Sequence, residues 1–292
     1  MKKSILIVAL VAGAFAFQGC NKKAADGSSS EQTASIDAGA ERLGWRLGSQ
    51  AYTFKEFTFA EALEKLDSIG LKYVEVYPGQ RIGAGVEGTT HFTASPEARE
   101  KIKQLAEEKG IKMVCYGVAT GKDEEEWKAI FEFARDLGIE TITSEPKPEH
   151  LDLVDSLCNA YGVNLAIHNH PKPSRYWDPA VVLEALEGRS ERMGACADVG
   201  HWVRSGLEPV ECLKQLEGKI ISLHFKDLNE KSREAHDVPW GTGISDVKGM
   251  LTELKRQNFK GVFSVEYEYN WLNSLPEVEK SVQFFFQTAN EL

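Results

Sequence analysis

The 292-residue chain has no excess of basic charge, no apolar run long enough to span a bilayer, no close-set cysteines and no glycine-rich phosphate turn. Each absence removes a class of function. With 34 Lys and Arg against 44 Asp and Glu, the formal charge is −10. Such a body repels nucleic acid and offers no basic stripe to track phosphates. The longest apolar stretch, Ile5 to Phe17, falls short of the roughly 20 residues that a transmembrane helix needs. Beyond Cys20, the cysteines Cys115, Cys158, Cys196 and Cys212 lie far apart in apolar strand or helical sequence. They read as buried free thiols rather than a disulfide framework. The segment GSQAYTF, after the first strand, lacks the glycines that cradle a pyrophosphate in an open doubly wound sheet.

What is present begins with a leader. Lys2 and Lys3 precede the apolar run, which ends in Phe17-Gln18-Gly19-Cys20. That ending resembles a bacterial lipoprotein cleavage box, although the usual pattern has Leu and a small residue where Phe17 and Gln18 stand. Residues 1–20 are therefore expected to be a lipoprotein signal peptide. The mature chain would be an exported lipoprotein, periplasmic or outer-membrane associated, touching the membrane only through a lipid on Cys20. Residues 21–43, small and polar, read as a flexible tether. Loss of Lys2 and Lys3 takes the formal charge to about −12. Residues 44–292 are the expected folded domain.

Within that domain, short apolar or β-branched runs alternate with helical stretches eight times. The strands are 46–52, 71–77, 111–118, 139–145, 163–170, 192–199, 219–226 and 261–268. Between them, sets such as Phe59, Leu63, Leu66 and Ile69, or Trp127, Ile130, Phe131 and Ala134, recur at helical spacing. Gly70, Gly110, Gly138 and Gly162 each stand where a helix should end, just before the next strand. The fold expected is α/β, a closed (β/α)8 TIM barrel in one domain.

The strand ends carry the chemistry. His168 and His170, Asp198 and His201, His224, and Glu266 with Glu268 end strands five to eight, and Glu145 ends strand four. Only a chain that returns to the same rim at each repeat can gather residues about 30 positions apart. A single such histidine is usually a hydrogen-bonded core residue, and a single strand-end carboxylate usually caps the next helix. Four consecutive strands ending in ligand types are another matter: buried imidazoles and carboxylates need partners, and one shared divalent cation (Mn, Co or Zn) supplies them. Trp177, Trp202, Trp240 and Trp271 follow the same strands and read as walls for a sugar ring. Arg204, Lys226 and His236 are candidates to contact hydroxyls or a developing oxyanion, and each reads equally well as a surface charge or salt-bridge partner.

The segments IHNH, ACADVGHWVRSG, SLHFKD, HDVPWGTG and SVEYE resemble those of the xylose isomerase-like TIM-barrel superfamily, which includes sugar isomerases, ketose 3-epimerases, inosose dehydratases and the endonuclease IV group. In its epimerase branch one metal is held by a strand-five Glu, strand-six Asp, strand-seven His and strand-eight Glu. The resemblance carries the last three roles to Asp198, His224 and Glu266. His168 stands at the strand-five position, which leaves His168 or Glu145 as fourth ligand and removes one of two paired carboxylate bases. The chemistry implied is proton abstraction beside a carbonyl through an enediolate, with His168, His170, His201 or Glu145 as base. Export and the missing phosphate cradle point to a small non-phosphorylated carbohydrate. The missing carboxylate points away from two-base epimerisation, toward lipoprotein members that resemble 3-keto-glycoside 1,2-lyases. The alternatives are a keto-sugar isomerase or epimerase, or a sugar-binding lipoprotein without turnover. DNA cleavage is poorly served by the acidic charge. A homo-oligomer is left open.

Overall fold

The structure is a computed structural model that describes residues 37–292. The expected leader, Cys20 and most of the expected tether lie outside the described residues. Eight parallel strands close into one barrel: β1 (Trp45–Gln50), β2 (Tyr73–Val76), β3 (Lys112–Tyr116), β4 (Thr141–Ser144), β5 (Asn164–His168), β6 (Met193–Asp198), β7 (Ile220–Phe225) and β8 (Gly261–Val265). Each pairs with its neighbours in sequence, and β8 closes on β1 through Trp45↔Gly261 to Ser49↔Val265. The interior strands are buried on both faces, which is why they read as continuous apolar runs rather than alternating ones.

The helices form for local reasons that also aim their apolar faces inward. The helix Phe59–Ser68 opens on a reciprocal capping box of Thr58 and Glu61, then buries Phe59, Ala62, Leu63 and Leu66. The helix Glu124–Asp136 is capped by Asp123 and buries Trp127, Ile130, Phe131 and Ala134 against the strands. The four glycines expected to end helices all adopt positive φ. Cys115, Cys158, Cys196 and Cys212 are buried and unpaired.

Two regions depart from the expected outline. Residues 38–43, expected as tether, form a short helix (Ala38–Leu43) docked on the last helix (Leu275–Glu291). The Gly39 amide donates to Asn290 Oδ1 at 2.7 Å, and a Cβ on Gly39 would stand 2.4 Å from the Ala289 carbonyl oxygen. Small size there serves close approach, and polar composition disguised it as linker. The second departure is at the rim after β7. Asp227 Oδ2 accepts the Gly241 and Gly243 amides, both at 2.9 Å, and Oδ1 accepts those of Leu228 and Ser245. A Cβ at Gly243 would lie 2.3 Å from the Leu228 carbonyl oxygen, so this turn of HDVPWGTG is a carboxylate-centred scaffold. Among the described residues no helix is long and apolar enough to cross a membrane.

Candidate metal centre

Asp198 shows how one residue serves fold and site together. Its Oδ1 caps the helix Val199–Arg204 by accepting the His201 amide at 2.7 Å. The Asn169 side chain clamps the Asp198 backbone from β5, donating to its carbonyl and accepting its amide at 2.9 Å each. Oδ2 is thereby turned into the barrel. Strand register sets Asp198 opposite His224, and His224 opposite Ser264.

Four side chains converge around Oδ2. His168, Asp198, His224 and Glu266 each offer one ligand atom, and these atoms all lie within 4.8 Å of one another. His168 Nε2 is 3.5 Å from Asp198 Oδ2, His224 Nδ1 is 3.9 Å from it, and His224 Nδ1 is 3.0 Å from Glu266 Oε2. Such spacings suit atoms that each stand about 2 Å from one central ion. His168 Nε2, Asp198 Oδ2, both ring nitrogens of His224 and Glu75 Oε1 are buried without a well-formed hydrogen bond. Charge balance at Asp198 Oδ2 and Glu266 Oε2 comes from the Lys226 ammonium at 2.9 and 2.8 Å; the imidazole nitrogens lack an equivalent partner. The donor set fits a divalent cation.

Glu145 stands outside that group. Its Oε1 receives His168 Nδ1 at 3.2 Å, the His170 amide at 3.1 Å and His170 Nδ1, while Oε2 accepts from Ser174 Oγ at 3.3 Å. The His168 ring therefore has Glu145 at one nitrogen and the four-residue cluster at the other. Glu145, His168 and His170 form a second, more open group of ligand types.

Electrostatics follow from burial and proximity. Burial disfavours a charged His168, but Asp198 and Glu145 outweigh it and push its pKa up to about 9. Burial likewise opposes a charged His224, yet Cys196, Glu75 and Glu266 raise it well above the usual range. Asp198 is held well below the carboxylate range, burial being overcome by His201, Lys226 and His168. Glu145 is lowered too, against burial, by His168 and His170. The common cause is mutual attraction between buried acids and bases: each carboxylate is held ionised by cationic neighbours, and each of these imidazoles is raised by anionic ones. His201 runs the other way: burial drops its pKa well below the usual value despite Asp198. Its Nδ1 accepts from Arg204 at 3.2 Å, which leaves the ring proton on Nε2.

Above the cluster lies a cavity of about 250 Å³. His170, His201, Glu266 and Glu268 face it from beyond the ends of β5, β6 and β8, Gln50 from the last position of β1, and Tyr52 and Tyr77 from just after β1 and β2. Of the four tryptophans expected as sugar walls, none is among the residues that line this cavity. Trp240 is buried against Phe225 and Phe285, with ring centroids 4.9 and 6.2 Å away, and Trp202 is buried in the same core. Trp177 packs under Lys172, and Trp271 stands edge-on to Tyr52 with Lys55 over its face. The apolar wall is tyrosine. Nor is Lys226 a rim contact: it is fully buried, 2.9 Å from Asp198 Oδ2 and 2.8 Å from both Glu266 and Glu268. Arg204 is tied to Glu268 and Asp237, and His236 stacks on Tyr269 away from the cavity lining.

Sequence reasoning missed Gln50, Tyr52, Tyr77 and the buried Glu75. The tyrosines follow β1 and β2 as the ligands follow β5 to β8, so the same strand-end rule applied to the first half would have found them. Glu75 had a plainer signal, a carboxylate flanked by valines within an apolar strand.

Comparison with known proteins agrees with this architecture. The family described as xylose isomerase-like TIM barrel matches residues 63–288. An uncharacterised protein from Parabacteroides distasonis ATCC 8503 has a structure with 37% identity and a TM-score of 0.69, covering 83% of this chain and 98% of that one. A D-tagatose 3-epimerase-like protein is similar at 18% identity and a TM-score of 0.64, over 83% of this chain and 98% of its own. A xylose isomerase-like TIM barrel protein from Mycobacterium smegmatis, solved in complex with magnesium, is similar at 11% identity and 0.66, over 85% and 97%. The last two likenesses concern the fold alone. No curated protein matches the chain.

Proposed function

Because this chain belongs to the xylose isomerase-like TIM-barrel family, we propose that it is a divalent-metal-dependent enzyme that removes a proton beside the carbonyl of a non-phosphorylated keto-sugar or keto-glycoside. Within that reading, the specific reaction we propose is β-elimination, as in a 3-keto-glycoside 1,2-lyase. One observation carries it: four ligand atoms within 4.8 Å of one another, set beside a cavity in which Glu145 holds an accessible imidazole.

His168, Asp198, His224 and Glu266 would hold the cation, with Glu145 behind His168. When bound, such an ion supplies Lewis-acid polarisation of a carbonyl oxygen, worth several kcal/mol. The proposed base is His170. Its side chain is half exposed, it lines the cavity, and its Nδ1 is engaged by Glu145, which orients the ring and leaves Nε2 for the substrate. His201, with its proton on Nε2, is suited to donate to a substrate oxygen rather than to accept from carbon. Glu266 belongs to the cluster and Glu268 is taken by Lys226 and Arg204. The cavity thus presents one free base, not a facing pair.

A single base favours elimination over two-base epimerisation. In a 3-keto-glycoside the C2 proton goes to His170 and the C2–H electrons form the C1–C2 double bond. The C1–O pair departs with the aglycone, and the proton taken by His170 is available to the leaving oxygen. Tyr52 and Tyr77, edge-to-face at 4.9 Å, provide an apolar surface for a ring beside these polar groups. We also read the first twenty residues as a leader that exports the chain and leaves it anchored at Cys20.

The test is direct. Purified protein supplied with Mn²⁺ or Co²⁺ is incubated with a 4-nitrophenyl 3-keto-glucoside, and nitrophenol release above the protein-free rate is expected. No release would remove the lyase assignment. Solvent deuterium entering the carbon beside the carbonyl, without loss of any group, would instead select a keto-sugar isomerase or epimerase.

A further inference from the structure

Glu75 is a buried carboxylate in contact with the centre that the proposed chemistry leaves without a part. It lies in β2 between Val74 and Val76, has no exposed surface and does not line the cavity. A carboxylate in so dry a position is retained only with partners. Its Oε2 accepts from Ser264 Oγ of β8 at 2.7 Å, and its Oε1 stands 3.0 Å from His224 Nε2 of β7. Since β1 and β8 separate β2 from β7 around the wall, Glu75 reaches His224 across the barrel interior.

The two nitrogens of His224 therefore face different surroundings. Nε2 looks back to Glu75, and Nδ1 looks to Glu266 and Asp198, at 3.0 and 3.9 Å. A carboxylate beside Nε2 favours the tautomer that carries its proton there, which leaves the Nδ1 lone pair for a cation. His168 repeats the pattern with its nitrogens exchanged: Nδ1 on Glu145, Nε2 toward Asp198. An acid behind each ligating imidazole is the arrangement by which metal sites orient their histidines.

We propose that Glu75 is a positioning residue of the metal centre: across the barrel core it aims His224 and selects the nitrogen offered to the ion. The proposal rests on the metal reading above. It does not rest on the lyase assignment, because it concerns binding.

The experiment measures Co²⁺ affinity by titration calorimetry, and the visible Co²⁺ absorption bands, for the full-length protein and for its Glu75→Gln and Ser264→Ala variants. Glu75→Gln is expected to weaken Co²⁺ binding by about 10- to 100-fold and to shift the bands. Ser264→Ala, which removes only the hydroxyl that steadies Glu75, is expected to cost about threefold. A lowered melting temperature with unchanged affinity and bands in Glu75→Gln would overturn the proposal and leave Glu75 a core ion-pair partner. Should Glu75→Gln not fold, unchanged affinity in Ser264→Ala would overturn it equally. A wild-type protein that binds no Co²⁺ would sink the metal reading along with it, an outcome distinct from a wild type that binds and variants that bind just as well.

Discussion

The two halves of the barrel make different contributions to one centre. Strands β5 to β8 deliver His168, Asp198, His224 and Glu266, the four side chains whose ligand atoms converge. Strands β1 to β4 deliver Glu75 and Glu145, which stand behind the two imidazoles, and the first two of them lead into the Gln50, Tyr52 and Tyr77 wall. The proposed ligands come from one half, and the carboxylates behind their imidazoles from the other. The arrangement therefore exists only once β8 has closed on β1, and neither half could hold it alone. Preorganisation of this kind is what a rigid closed sheet supplies.

This division of labour can be broken at several depths. Asp198→Asn strikes the ligand half at its centre. Metal content, read by elemental analysis, should fall to background, and kcat/KM for the proposed reaction should drop about 10³-fold or more, the equivalent of several kcal/mol. His170→Gln removes the proposed base while leaving the four ligands intact. A loss of about 10²- to 10⁴-fold in kcat with full metal occupancy is expected; a parallel loss of metal would show His170 to be a ligand instead.

Glu145→Gln probes the aiming half at the rim. It should lower metal affinity by about 10- to 100-fold, comparable to Glu75→Gln, because each removes the acid behind one imidazole. Equal affinities for wild type and Glu145→Gln would dissolve the contrast between the halves. The smallest effect belongs to the wall. Tyr77→Ala should raise KM for an aryl glycoside by about fivefold with kcat held, since an aromatic contact of this type is worth roughly 1 kcal/mol beyond its buried area. A change in kcat alone would mean that Tyr77 does more than bind.

How much of this was legible from the amino acids differs between the halves in the same way. The eight strands were visible because each is buried on both faces and reads as an apolar run, and the structure trims them by only a few residues. Asp198, His224 and Glu266 were visible because strand ends in a barrel share one rim. Whether His168 or Glu145 completes the set was not, since that depends on which nitrogen of His168 turns inward, a matter of ring orientation rather than of spacing. The placement of the tryptophans was illegible for a related reason: a residue after a strand can point up to the cavity or back under the helices, and Trp240 does the latter against Phe285. For Lys226 the salt-bridge reading was available beside the surface-charge and substrate ones, but nothing in the sequence showed that three carboxylates draw its ammonium fully into the interior. Long-range charge pairing leaves no periodic trace in sequence.

The central claim is that one divalent ion sits among His168, Asp198, His224 and Glu266. An anomalous difference map from a crystal soaked in Mn²⁺ tests it most directly. The account predicts a single strong peak about 2 Å from His168 Nε2, Asp198 Oδ2, His224 Nδ1 and a Glu266 oxygen. A map without a peak there, or with its peak among Glu145, His168 and His170 instead, would contradict it.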